Sequence, residues 1–382
     1  MKALFWISTT FSKPKYGITF MVVWVVSLGL EFYGRACGFN LTSDSVQYLS
    51  AAQSFQSIGK FLGSDGSYNP YWPPLYPMLL SCWENPLSAL IWINLACKIV
   101  IGLMLLYLAD TFLKHDFYRI VFLISSLLSV YMIMISVFVW TELLFTALIL
   151  LNIFFVLNLH KRYYFLGLVI TGFLLCIQRN AGLFWICGLT GWLFINRKDD
   201  PINRSHLKIL VFFFMSTLGL WAWNIYNTFF IPADFVFYDR NFFDGFLMNV
   251  LLLAGAFIKM IVPTPAGAMA GVLFLLLLAA IFYWLKPISK NVVVVVVMVY
   301  AAGFMVLGKL DQYELDRYLS VIAPFCFLLL LMFVERVAQG GAKWVRYGAV
   351  LTVLIFVSYT LVRTGRNIEL WHNRSCFSDS SK

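Results

Sequence analysis

The chain has 382 residues, 61% of them hydrophobic and only 12% charged, with a mean hydropathy of +0.83 and a formal net charge of +10. That charged share is about half of what a soluble domain carries, so water is excluded as the main solvent of the fold. The positive charge is scattered through short segments between apolar blocks and forms no continuous stripe, which excludes a nucleic-acid-binding face.

The apolar blocks are about twenty residues long, the length that carries a helix across a hydrocarbon core of about 30 Å. In chain order, spans are predicted near 17–34, 86–108, 119–138, 142–159, 163–177, 181–195, 207–231, 267–285, 291–307, 319–334 and 344–361. The fold class is therefore an all-α polytopic membrane protein, a single domain over 1–382 with about 11 transmembrane helices, in a range of about 10–12. A cleaved signal peptide competes for the first block, because Met1 to Lys15 is basic. The apolar run continues past Trp24 to Phe32, and Glu31 and Arg35 stand where a small-residue cleavage site is needed, so a retained span is expected.

Two connecting segments, 35–85 and 232–266, are too long to be simple links, and long links in compact proteins tend to carry function. In the first, Ser43 to Lys60 reads as an interfacial helix, with Ser43 as N-cap candidate and Val46, Leu49 and Phe55 on one face. The stretch Asn69-Pro70-Tyr71-Trp72-Pro73-Pro74-Leu75-Tyr76-Pro77 follows as a rigid aromatic turn at membrane level. Segment 232–266, the fourth outer loop, is expected to hold an interfacial helix as well. After the last block comes only a short polar tail, 363–382, with no soluble domain expected.

Alternating sides from a cytoplasmic N-terminus puts sixteen of the 28 lysines and arginines on the inner side and eleven on the outer. Most acids fall outside, among them Asp44, Asp65, Glu84, Asp234, Asp239, Asp244, Asp311, Glu314 and Asp316. Cytoplasmic loops favour basic residues, so the long loops are predicted to face the periplasm or its equivalent, from a bacterial cytoplasmic membrane. The seven cysteines show no CxxC or Cys/His metal spacing. Cys97, Cys176, Cys187 and Cys326 lie in apolar segments; Cys37, Cys82 and Cys376 are placed to meet an oxidising compartment, with Cys37 to Cys82 as the candidate disulfide. His115, His160, His206 and His372 have no metal spacing.

Six landmarks then follow in order: Asp44-Ser-Val-Gln-Tyr-Leu opening a helix, Trp72-Pro-Pro-Leu-Tyr-Pro, Thr141-Glu142-Leu-Leu-Phe, Gln178-Arg179-Asn180-Ala-Gly-Leu, Asn224-Ile-Tyr-Asn227 and Asp316-Arg317-Tyr318-Leu. Over about 35–330 this order resembles the polyprenyl-phosphate-sugar-dependent membrane glycosyltransferases of the GT-C fold. The nearest flavour is family 39, which includes protein O-mannosyltransferases and the lipid A aminoarabinose transferase. Two departures stand out. Many family members carry adjacent acids in the first loop, whereas Asp44 is flanked by serines, and the large soluble domain of some relatives is missing.

The resemblance implies transfer of a hexose or pentose from a polyprenyl phosphate to a glycan, lipid or protein acceptor at the outer face. It makes Asp44 the catalytic base and assigns Arg179 and Arg317 to the donor phosphate, since guanidinium matches phosphate oxygens bidentately. Snorkelling arginines and a helix-start acid complementing the dipole are the blander alternatives. Tyr318 is a hydrogen-bonding helper or an interfacial anchor. Glu142 is a second acid, a metal ligand or an arginine's partner, and Asp65 is a lesser acid. Tyr48, Trp72, Tyr76 and Lys309 are candidates for the substrate groove, and Lys259 is a lesser one. A divalent cation, Mg or Mn, held by carboxylates and the donor phosphate stays open. Lys98, in mid-span near the bilayer centre, reads as structural or as lining a lipid-tail groove. A transporter or flippase explains the spans equally well but predicts matching halves with broken helices, and no such repeat is seen. An acyltransferase would want a histidine in the outer loops before the tail.

Overall fold

The computed structural model describes residues 14–68, 70–159, 162–196, 206–231, 246–261, 291–306 and 312–377. Every predicted span among these residues is met by a helix or a helix pair; 267–285 lies outside them. α1 (Pro14–Gly34) is followed by α2 (Ser43–Ile58) and α3 (Leu75–Ser81) in the first long loop, and α4 (Pro86–Phe112) returns. The third crossing is divided into α5 (Asp116–Leu127) and α6 (Val130–Val137). Then come α7 (Glu142–Leu157), α8 (Arg162–Gln178), α9 (Gly182–Asn196) and α10 (His206–Phe230). α11 (Phe246–Ile261) falls within the segment expected to hold a further helix, and α12 (Val292–Val306), α13 (Gln312–Ser320), α14 (Ala323–Gly340) and α15 (Lys343–Phe377) complete the order. Six of these segments are long and apolar enough to cross a bilayer, and five more are shorter apolar helices, so the chain is a multi-pass membrane protein.

Where the sequence suggested one uninterrupted span over 119–138, the helix breaks at Leu128 and Ser129. Ser129 caps the new helix, its hydroxyl accepting from the Met132 N–H at 3.2 Å. A break inside a membrane is tolerated only when the freed carbonyls find donors. Ser27 of α1 donates to the Leu127 carbonyl at 2.9 Å, and Thr364 of α15 donates to the Leu128 carbonyl at 2.8 Å.

The expected interfacial helix is α2, but its cap is Thr42 rather than Ser43: Thr42 and Ser45 exchange side-chain and backbone hydrogen bonds as a capping box. Its buried face is Ser45, Tyr48 and Ala52, whereas Val46 is exposed. Small residues at 45 and 52 let α2 settle closely, and Tyr48 supplies the bulk. Gly59, with φ +70°, ends the helix, its N–H bonding the Phe55 carbonyl at 2.9 Å. The aromatic turn gives way to helix at Leu75; Pro77 is accommodated because the first turn leaves its N–H unused.

Two expectations fail outright. Cys37 bonds Cys376, not Cys82, which is free and exposed. The pairing was hidden because the last helix does not stop near 361: α15 continues to Phe377 through the supposed polar tail. At 35 residues it is about 52 Å long, well beyond a hydrocarbon core of about 30 Å, and its end reaches the loop after α1. There Arg374 donates to the Leu41 carbonyl at 2.8 Å and His372 stacks on Tyr33. Lys98, read as structural, is buried and has an acidic partner. Its ammonium lies 3.5 Å from Glu31, one turn from the C-terminal end of α1, and Glu31 also pairs with Arg35 at 3.1 Å.

Helices α8 and α10 pack closely through small residues. A Cβ on Gly219 would sit 3.0 Å from the Phe173 carbonyl oxygen and 3.0 Å from the Ile177 Cβ. In lipid, where apolar surface gives little drive for helix association, such close backbone approach matters. Gly219→Val is expected to destabilise the detergent-solubilised protein by about 1–3 kcal/mol through overpacking, seen as a lower Tm; an unchanged Tm would refute that account of the α8/α10 seam. Alkylation before reduction should leave Cys37 and Cys376 unlabelled and Cys82 labelled, and a peptide map carrying a Cys37–Cys82 crosslink would refute the assigned pairing.

Candidate active site

Asp44 is the second residue of α2, where a carboxylate complements the helix dipole. The strand-like link before it is stitched to the link between α6 and α7. The Asn40 N–H donates to the Val137 carbonyl at 3.0 Å, and the Val139 N–H donates to the Asn40 carbonyl at 3.3 Å. The Asn40 side-chain amide reaches the Gly34 and Trp371 carbonyls, so α1, α15 and this stitch meet at one buried residue. Trp140 adds a further tie, its indole N–H donating to the Thr42 hydroxyl at 2.9 Å. Asp44 and Glu142, nearly a hundred positions apart, are held side by side as a result.

Glu142 opens α7 and its side chain is fully buried. One of its oxygens, Oε1, accepts from Arg317 Nε at 2.5 Å and also pairs with Arg179 Nη1. Arg317 donates through Nη1 to Asp44 Oδ2 at 2.5 Å, and its guanidinium lies 4.8 Å from the centre of the Trp140 ring. Arg179 sits in the turn between α8 and α9. Its Nη1 donates to the Thr141 hydroxyl at 2.8 Å, while the neighbouring Gln178 amide donates to the Thr141 carbonyl at 3.1 Å. Two carboxylates and two guanidiniums from four separate places in the chain thus form one balanced cluster.

Burial by itself would push protons off both guanidiniums, but the facing Glu142 outweighs it, with Asp44 contributing at Arg317, and both arginines are held above their ordinary pKa. Burial also raises Tyr48, to about 12, against the opposing pull of the two arginines, so Tyr48 stays a neutral phenol beside the cluster. The acids differ in access: the Glu142 side chain is 0% exposed and that of Asp44 is 25% exposed. A molecule arriving at the cluster meets Asp44 first.

The other candidates divide. Tyr76 and Trp72 pack edge-on against Tyr48, at 5.4 and 6.2 Å between ring centres, and so wall the cluster. Tyr318 stacks on Phe304 and its ring lies 5.7 Å from the Arg179 guanidinium, but its hydroxyl donates to Glu314 at 2.8 Å. Asp65 stays apart: it is exposed and accepts from the Ser67 hydroxyl and N–H, bonds that lower its pKa. Lys309 lies outside the described residues. Lys259 joins Asp316 rather than Asp44. Asn227, at the end of the Asn224 landmark, accepts from the Tyr68 hydroxyl at 2.5 Å and ties α10 to the first loop. No group of three or more His, Cys, Asp or Glu side chains able to hold a metal occurs among the described residues, and Asp44 is paired with Arg317. No role was expected for Asn40 or Trp140, and Thr141 entered only as part of a landmark. Trp140-Thr141 beside an acid at an outer hairpin was the available signal, since tryptophan is the best ring for a guanidinium to rest on.

No family model matches the chain, and no curated protein matches it. Among solved structures, the apo crystal structure of ArnT from Cupriavidus metallidurans aligns with a TM-score of 0.58 over 95% of this chain and 78% of that one, at 11% identity. The fold is that of ArnT. The same enzyme bound to undecaprenyl phosphate aligns with a TM-score of 0.56 over 94% of this chain, again at 11% identity. The expected GT-C architecture is thereby met, with ArnT sharing the helix arrangement and very little of the sequence.

Removing one partner of a buried ion pair leaves an uncompensated charge, which typically costs about 3–5 kcal/mol. Glu142→Gln is therefore expected to lower the Tm in detergent substantially, and adding Arg179→Gln should recover part of the loss by removing one stranded cation. A Glu142→Gln protein as stable as the parent would show that the cluster does not hold the helices together.

Proposed function

We propose that the protein is a membrane glycosyltransferase that moves a sugar from a polyprenyl phosphate to an acceptor at the non-cytoplasmic face. The observation that carries this reading is the direct pairing of Asp44, the accessible acid, with Arg317, next to a second guanidinium. Sugar transfer from a lipid phosphate needs a base for the acceptor and cations for the leaving phosphate, and both are present within one hydrogen-bonded group. The ArnT fold adds support, since ArnT itself has been crystallised with undecaprenyl phosphate.

In the proposed reaction the donor phosphate displaces Asp44 from Arg317, exchanging one charge-assisted hydrogen bond for another. Asp44 then takes the proton of the acceptor hydroxyl or amine as that atom attacks the anomeric carbon. The bond from that carbon to the phosphate oxygen breaks, and its electron pair stays with the polyprenyl phosphate. Arg317 and Arg179 offset the charge that builds there, while Glu142 keeps both oriented without leaving its buried place. Tyr48, Trp72 and Tyr76 offer ring faces and edges to the sugar or prenyl chain. The outward orientation rests on the basic bias of the inner loops and on the Cys37–Cys376 disulfide, which needs an oxidising compartment.

Asp44→Asn removes the base while keeping shape, and general-base catalysis is worth about 10²–10⁴ in rate. Transfer from a polyprenyl-phosphate sugar, read by mass spectrometry, should fall at least about a hundredfold with Tm and undecaprenyl phosphate binding retained. An Asp44→Asn protein with most of its activity would remove the assignment, and a parent protein that only equilibrates lipid between leaflets would replace the enzyme by a flippase.

A further inference from the structure

Asp316 is adjacent to Arg317 in α13, and it belongs to a different set of charges. Its Oδ2 receives both Lys259 Nζ of α11 at 2.8 Å and Arg363 Nη2 of α15 at 3.3 Å. Arg363 Nη1 donates in addition to the Tyr131 hydroxyl of α6 at 2.7 Å and to the Lys259 carbonyl at 3.0 Å. Tyr359 donates to that same carbonyl at 2.8 Å. The guanidinium is thus fixed by three elements, while the Lys259 side chain is 47% exposed.

We infer that Lys259 and Arg363 form a second phosphate site, which takes a phosphate group other than the donor's; the inference rests on the Asp44 cluster being the donor site. Around Asp44, two acids meet two guanidiniums and the charge closes. Around Asp316, two cations share one oxygen of one acid, so among the described residues a positive charge is left over where the surface is open. Asp316 takes one of the three donors of the Lys259 ammonium, and the others are free to turn toward an arriving ligand. A fixed guanidinium beside a half-exposed ammonium suits a phosphate, whose tetrahedral oxygens accept from both at once. The two sites share one turn of α13 and face different ways, so both can be filled together. A lipid headgroup and a soluble phosphate ester supply the same chemistry at this depth.

The test is native mass spectrometry of the full chain in detergent. The probes are dioctanoyl phosphatidic acid, its neutral match dioctanoylglycerol, glycerol 3-phosphate and undecaprenyl phosphate. Phosphatidic acid is expected to bind, dioctanoylglycerol not to, and a ternary complex with undecaprenyl phosphate is expected to form. Lys259→Gln should weaken phosphatidic acid binding about tenfold, the loss of one charged hydrogen bond, with undecaprenyl phosphate binding unchanged. Lys259→Arg should restore it. Displacement by glycerol 3-phosphate assigns the site to a soluble phosphate, and failure to displace assigns it to a headgroup. Equal binding of phosphatidic acid by parent and Lys259→Gln would overturn the inference, as would mutual exclusion with undecaprenyl phosphate. Absence of undecaprenyl phosphate binding alongside Lys259-dependent phosphatidic acid binding would fall on the donor reading alone.

Discussion

A carboxylate taken fully out of water survives only if cations meet it at hydrogen-bonding distance, and Glu142 is met by two. Those two arginines come from the α8–α9 turn and from α13, so the condition that keeps Glu142 charged also fixes where these elements can lie. Arg317 passes the constraint on to Asp44 and hence to α2. A ring of charges at one end of the bundle therefore sets the relative placement of four elements that apolar packing in lipid would hold only loosely.

The positions of the two acids depend on a small amount of non-helical backbone. Irregular chain at the membrane rim must have its polar groups met by protein, and residues 35–42 and 138–141 meet one another's. Asn40 closes the arrangement with its main chain and its side chain both engaged, and Trp140 bonds Thr42 while lying beneath Arg317. The same segment is secured from outside by the far end of α15, through Arg374 and the Cys37–Cys376 bond. The last helix thus acts as a brace for the first loop, although it contributes no side chain to the Asp44 cluster.

The exposures within the cluster give its parts different scope. Glu142, wholly enclosed, is suited to organising the arginines, and Asp44, with a quarter of its side chain open, is suited to exchange partners. α13 carries this division further, because consecutive residues turn to different charge groups, Arg317 inward and Asp316 to Lys259 and Arg363.

Much of this was legible in the chain itself. Hydropathy located the crossings because a bilayer demands about twenty apolar residues per helix whatever the fold around them. The acid opening α2 and the arginines at outer helix ends were visible because charges are rare in such a composition. Partnership was not visible. Glu142 with Arg317, Lys98 with Glu31, and Cys37 with Cys376 join residues between 67 and 339 positions apart, and nothing local marks either member. The break at Leu128 was hidden for the same reason, since its carbonyls are satisfied by Ser27 and Thr364 from other helices. The sequence by itself determined a membrane bundle and which charged groups stand at the ends of its helices, because solvent and helix length act residue by residue. Only the tertiary structure decided which charges neutralise one another and which stay open, because pairing is a property of distance in space.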